Sequence, residues 1–291
     1  MATPDEIAAE DAADSRLLDR IEKSIVRAAR GLKKLEDRFP LVIRQGLDEV
    51  IDPARSKRFL VEELESTEKT YIGTKLEILL RNFLGFPRGH RLDFLIDGIE
   101  VDVKNTVGNA WMIPPEAIDA PCILIRSDEK DARCWLGLVM ARKRHVSKAG
   151  NRDAKHSISK GNERIRWILN EVPYPKNFCQ GVPIEVRGSI VNEAAASKRV
   201  AALFRQFQST VIDKSVIVGI GGRQDPMKRA RKNGGAPDIL GREGIAVLCG
   251  TYDSKLIAEL GLPSCGRGEF LSFKPRTADQ VIMLREAGKL P

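Results

Sequence analysis

Between Arg91 and Asn105 the apolar residues Leu92, Phe94, Ile96, Ile99, Val101 and Val103 alternate with polar ones around Asp97-Gly98. A period of two interrupted by Asp-Gly predicts a β-hairpin closed by a two-residue type I′ turn. In that register Ile96 faces Ile99, Phe94 faces Val101 and Leu92 faces Val103, so these apolar side chains share one face. The other face carries Asp93, Asp102 and Lys104, with Asp93 across from Asp102.

Helical spacing precedes the hairpin. Ile72, Leu76, Leu79, Leu80 and Phe83 predict a helix over residues 70–84, with Glu77 beside its apolar stripe. Leu17, Leu18, Ile21, Ile25, Ala28, Leu32 and Leu35 predict an amphipathic helix over 15–35 that Pro40 breaks. The acidic residues 2–14 read as a mobile lead into it, and 41–51 as a second short helix stopped by Pro53. After the hairpin, residues 105–115 read as a loop anchored by Trp111. Cys122–Arg126 and Cys134–Met140 are apolar runs without alternation, the pattern of strands covered on both sides. Residues 162–169 read as a short helix. These elements predict an α/β domain over 1–172, a mixed sheet with helices on both faces and the hairpin at its functional edge.

Pro173, Pro175, Gly181, Pro183 and Gly188 mark 173–190 as a linker, with Ile184–Val186 as a possible short strand. A smaller α+β domain over 191–291 is then expected. It has a helix opened by Asn192 and running to Phe207, a strand over 214–220 and a short helix capped by Asp225. A strand over 245–249, a helix from Asp253 to Leu260, a turn and short strand over 263–273 and a terminal helix from Thr277 follow.

Charge narrows the partners. The net charge of +8 and the isoelectric point near 9.3 favour a polyanion, nucleic acid before a membrane surface. The bases concentrate in three places. Arg88 and Arg91 flank the hairpin, where they could reach a phosphate. Arg142, Lys143, Arg144, Lys148, Arg152 and Lys155 lie in a Gly- and Ser-containing loop suited to a DNA groove. Arg223, Lys228, Arg229, Arg231 and Lys232 crowd around a short helix in the second domain. The five cysteines are scattered without Cys-x-x-Cys pairing, which argues against a disulfide framework or zinc site. With an acidic N-terminus and no apolar run of membrane length, a cytoplasmic protein without a membrane partner is expected. Val218-Gly-Ile-Gly-Gly222 places Gln224 where a dinucleotide fingerprint needs its third glycine, so no nucleotide cofactor is expected.

Two carboxylates facing each other across a hairpin repel by about 0.2–1 kcal/mol. A cation between them removes that repulsion, and a site of few carboxylates completed by water and phosphate suits Mg²⁺. Lys104 points to the same side, where a cation can orient a water or stabilise charge on a phosphate. A helix bearing Glu77, then Asp93, then Asp102-x-Lys104 resembles the core of the PD-(D/E)xK nucleases, and in detail the NaeI family of type IIE restriction endonucleases. The likeness runs from about Ser66 through Asn105 and more loosely into the C-terminal half. Leu92 stands where the motif name has proline.

By that resemblance Glu77, Asp93, Asp102 and Lys104 would form the catalytic and Mg²⁺-binding set, with the Val103 carbonyl a further metal ligand. The protein would be a homodimer cutting both strands of double-stranded DNA at a specific, palindromic site. Its C-terminal domain would be a winged-helix-like unit binding a second, effector DNA. The alternatives are a DNA-binding regulator without chemistry and a nicking repair endonuclease of the MutH type.

Overall fold

A computed structural model describes residues 3–148, 150–222 and 225–291. Helices α1 (Pro4–Ala28), α2 (Leu32–Ile51), α3 (Pro53–Ser56) and α4 (Ser66–Leu84) precede the strands β1 (Phe94–Ile96) and β2 (Ile99–Thr106). Strands β3 (Ala110–Ile113), β4 (Pro121–Asp128), β5 (Arg133–Met140), β6 (His156–Ser159) and β7 (Arg166–Pro173) follow. The rest comprises α5 (Ile184–Val191), α6 (Ala196–Gln206), β8 (Ile212–Asp213), α7 (Lys214–Gly221), α8 (Ala236–Gly241), β9 (Ala246–Cys249), α9 (Ser254–Glu259), β10 (Glu269–Phe273) and α10 (Ala278–Glu286). The chain divides into two compact units, Met1–Val50 with Leu64–Asn177, and Ile51–Glu63 with Phe178–Pro291. The first is an α/β unit on a mixed sheet and the second a smaller α+β unit.

In the first unit the sheet order is β1-β2-β4-β5-β7, with β2 and β4 parallel and the other pairs antiparallel. The hairpin pairs Ile96 with Ile99 and Phe94 with Val101 as expected, but the ladder ends at Phe94, and Leu92, expected opposite Val103 on the shared apolar face, packs instead with Cys122 and Leu124. Its turn places Asp97 and Gly98 at φ 48° and 78°, which Asp tolerates and Gly adopts without steric cost. Arg27 and Ser24 of α1 both hydrogen-bond the Asp97 carboxylate, tying the turn to the helical layer. Because β2 and β4 run parallel with Asp102 beside Cys122 and Lys104 beside Leu124, these side chains share a face. On that face Cys122, Leu124 and Val139 pack with Trp111 and Ile113 of β3, Ile158 of β6 and Ala117 of a 3-10 turn. Trp111 is fully buried, and its Nε1–H donates to the Ile125 carbonyl at 2.7 Å.

Several expectations are corrected by long-range packing. Residues 4–14 are helical from the start of α1: Thr3 accepts from the Glu6 amide, Glu6 accepts from the Thr3 amide, and Pro4 fills the first turn. The bend falls at Arg30 and Gly31, both with positive φ, and Pro40 lies inside α2. An interior proline costs about 3 kcal/mol. Leu35, Phe39, Ile43 and Leu47 are all fully buried at i, i+4 spacing along α2, and about 1.5–3 kcal/mol each outweighs that. Residues 110–113, expected within a loop, are β3 and pair with β6 of the basic segment. Residues 162–169 do not form a helix: from Arg166 the chain is strand β7 against β5, with Leu169 opposite Leu136.

The second unit is a three-stranded antiparallel sheet, β8-β10-β9, with a core on each side. Val247 and Phe270 face Val200, Leu203 and Phe204 of α6, Ile217 of α7 and Leu240 of α8. Ala246, Leu248, Leu271 and Phe273 face Ile257 of α9 and Leu284 of α10. The period of two along β9 and β10 thus feeds both cores. The span 173–190 contains most of α5, whose Ile190 and Val191 are buried in this unit, and Ile184–Val186 is helical, not strand. Asn192 ends α5, and α6 opens at Ala196. Residues 214–221 are helix α7, not a strand, because the Asp213 side chain caps the Ser215 amide at 2.7 Å.

The basic segment of the first unit is tied to α1. Arg142 binds Asp14 at 2.6 Å and Glu10 at 3.2 Å; Arg144 binds Glu10 and Asp11; Arg164 binds Asp11 at 3.0 Å; Arg166 binds Asp19. The acids read as a mobile leader are the counter-ions of the bases read as DNA contacts.

Two outcomes follow. Trp111→Ala should lower the stability of the first unit by about 3–5 kcal/mol in urea unfolding, from a large cavity and a lost buried hydrogen bond. The Arg144 guanidinium holds the Asp11 carboxyl below its usual range, so its stabilisation is complete above about pH 4 and lost as pH falls through the depressed value. Thermal melts below about pH 4 should therefore show a shallower acid fall for Asp11→Asn than for the wild type.

Candidate active site

Asp93 lies one residue before β1, and Asp102 and Lys104 lie on β2. The Asp93 carboxylate accepts the Val103 amide at 2.8 Å, which locks it across the hairpin from Asp102. Lys104 Nζ lies 2.8 and 2.7 Å from the two Asp102 oxygens, 3.9 Å from Asp93 Oδ2 and 3.2 Å from the Val103 carbonyl. The face that carries Asp93, Asp102 and Lys104 is partly closed. The Asp102 side chain is only 5% exposed, whereas Lys104 and Asp93 are 23% and 27% exposed. A reacting group can therefore approach Asp93 and Lys104 while Asp102 stays in a low-dielectric floor.

Burial pushes the Asp102 carboxyl up to about 6, against the pull of Lys104, and Asp93 adds to the rise. Burial followed by the Asp93 charge also raises Glu77. Glu77 projects from α4, which packs on β2, and Arg81 one turn on holds it at 3.0 Å. Cys122 lies 4.0 Å from Asp102, and its thiol is kept protonated by burial and that neighbouring carboxylate. Burial is the larger cause of both rises, and Asp93 adds to each.

Among the described residues no group of three or more His, Cys, Asp and Glu side chains is arranged to hold a metal ion. Two carboxylates, Asp93 and Asp102, converge, with Glu77 near enough to respond to Asp93. Hard oxygen donors in low number, carrying excess negative charge beside an accessible face, fit Mg²⁺, which keeps several waters and is held by one or two carboxylates.

The residues expected to bind DNA are placed unequally. Arg88 and Arg91 are exposed on the loop that presents Asp93. Lys143, Lys148 and Arg152 are exposed, and Lys155 lies 3.7 Å from Asp153. Arg142 and Arg144, expected to meet a DNA groove, form ion pairs with Asp14 and Asp11 of α1. In the second unit Lys228, Arg231 and Lys232 are exposed and Arg229 is half-buried, while Arg223 lies outside the described residues. A cleft of about 770 Å³ in that unit is lined by Lys214, Arg231, Lys232, Arg267 and Lys289, with exposed Tyr252 among its walls.

Two members of the site environment escaped the sequence. Arg81 was available from its i, i+4 spacing to Glu77. Glu100 shares strand parity with Asp102 and Lys104, and its carboxylate takes the amides of His90 at 2.8 Å, Arg91 at 3.3 Å and Leu92 at 2.8 Å. Those hydrogen bonds, that from Leu92 foremost, keep its carboxyl below the usual range.

Among the described residues no helix is long and apolar enough to cross a membrane, and the five cysteines are free thiols. The family profile described as "Restriction endonuclease NaeI" matches residues 24–281. The chain is also 32% identical over 255 residues to "Type II restriction enzyme NaeI" of Lentzea aerocolonigenes, an alignment covering 84% of this chain and 80% of that protein. With a carboxylate pair and a lysine on one hairpin face, a mixed-sheet unit behind them and similarity along nearly the whole chain, the protein belongs to the NaeI family of restriction endonucleases, within the PD-(D/E)xK-like nucleases.

Proposed function

We propose that this chain is a Mg²⁺-dependent type II endonuclease that hydrolyses both strands of double-stranded DNA at a specific site. The observation that carries the reading is the juxtaposition of Asp93, Asp102 and Lys104 on one face of the hairpin. Asp93 and Asp102 would hold the metal, with Glu77 and the Val103 carbonyl as further donors. The bound ion would polarise the scissile phosphate and lower the pKa of a water.

The chain's own groups supply the rest. The Val103 amide fixes the Asp93 carboxylate, so the donor pair is organised before DNA arrives. Arg81 holds Glu77 on the α4 side. Lys104, the accessible cation of the site, holds the attacking water or compensates charge on the phosphate oxygens. Water adds to phosphorus as the bond to the 3′ oxygen breaks, leaving 5′-phosphate and 3′-hydroxyl ends.

The first unit is assigned as the endonuclease domain. Lys143, Lys148, Arg152 and Lys155, with Arg88 and Arg91, are its DNA-facing bases, since α1 already neutralises Arg142 and Arg144. A palindromic site cut in both strands calls for two active sites, hence a homodimer. The second unit is assigned as a winged-helix-like domain for effector DNA, supported by the basic lining of its cleft. The enzyme would act in the cytoplasm without a nucleotide cofactor.

Supercoiled plasmid incubated with the protein should give discrete linear products with Mg²⁺ and none with a chelator. Asp102→Ala and Lys104→Ala should each lower cleavage by at least about 100-fold while gel shifts show retained DNA binding. Wild-type rates in both variants would rule out this site, and nicked circles as the end product would favour a nicking role. Lys143→Ala with Lys148→Ala should weaken binding to all duplexes and reduce the slope of log affinity against log salt by about 2.

A further inference from the structure

We propose that Glu100 is a positioning residue for the metal site: its carboxylate clamps the backbone of residues 90–92 and so holds Asp93 opposite Asp102. The proposal rests on the reading that Asp93 and Asp102 bind a divalent cation. Asp93 needs such a clamp because it lies outside the strand ladder, which begins at Phe94. Its backbone is set by the loop before it, where Leu95 donates to the Pro87 carbonyl at 3.0 Å and Gly89 to the Asp93 carbonyl at 3.3 Å.

Successive amides turned to one side form an anion-binding concavity. Glu100 fills it from β2, with one oxygen on His90 and the other on Arg91 and Leu92. Both carboxylate oxygens are therefore committed to backbone N–H groups, which separates Glu100 from the metal-binding donors. Gly89 completes the clamp. A Cβ there would collide with Glu100 Oε2 and with the Leu92 carbonyl oxygen, so the loop passes close to the carboxylate only because residue 89 has no side chain. Glu100 and Asp102 lie two residues apart on β2, so one strand carries both a donor of the pair and the brace for its partner.

The test uses the full chain and the variants Glu100→Ala, Glu100→Gln, Gly89→Ala and Asp102→Ala. Two readouts are taken without DNA, amide hydrogen exchange and calorimetric titration with Mg²⁺. Glu100→Ala and Gly89→Ala should speed exchange at residues 90–92 while β4 and β5 stay protected. Both should weaken Mg²⁺ binding about 10- to 100-fold, the usual loss when a residue supporting a metal donor is removed. Glu100→Gln, which keeps one acceptor oxygen, should recover part of both effects. If wild type binds Mg²⁺ in an Asp102-dependent way and Glu100→Ala binds equally well, the clamp is refuted and the metal site stands. If Asp102→Ala does not alter Mg²⁺ binding by wild type, the metal reading falls and the proposal with it. A general loss of protection across β4 and β5 in both Glu100 variants would also overturn it, by making Glu100 a residue of global stability.

Discussion

Keeping two carboxylates face to face is the constraint on which the site depends. The Asp97-Gly98 turn sets the register as far as Phe94, and the Val103 amide then fixes the Asp93 carboxylate on the side of Asp102 and Lys104. Like charges at that spacing cost about 0.2–1 kcal/mol when exposed and more when one is buried, as Asp102 is. The surroundings are arranged against that cost. Lys104 donates to Asp102, the Val103 amide donates to Asp93, and Arg27 with Ser24 fastens the turn from α1. The compensation is partial, since burial and Asp93 still raise the Asp102 carboxyl.

The hairpin could be read because its turn and register are set locally. Alternation assigns faces and Asp-Gly assigns the turn, which fixes the pairing from the turn back to Phe94 and Val101. The helix carrying Glu77 was readable from its helical period, and the two central strands from continuous apolar runs. Pro40 misled because a local rule met four fully buried side chains on one helical face. Residues 162–169 and 214–220 misled because short apolar runs fit helix or strand equally, and a sheet neighbour in one case and the Asp213 cap in the other decided between them.

The basic segment marks the limit of composition as evidence. Its arginines meet acids more than a hundred residues earlier in the chain, a contact no local pattern announces. Two of the six bases that looked like an electrostatic footprint for DNA, Arg142 and Arg144, pair with acids of α1. Membership of the NaeI family supplies what neither charge nor hairpin geometry could, a nuclease context for a carboxylate pair. The geometry in turn supplies what similarity could not, a buried floor at Asp102 and an accessible rim at Asp93 and Lys104.

The most direct measurement of the central claim is the anomalous scattering of Mn²⁺ in crystals of the full chain. The account predicts a peak within about 2.0–2.3 Å of a carboxylate oxygen of both Asp93 and Asp102, on the face that carries Lys104. An occupied site elsewhere in the first unit, with no peak at that pair, would contradict it.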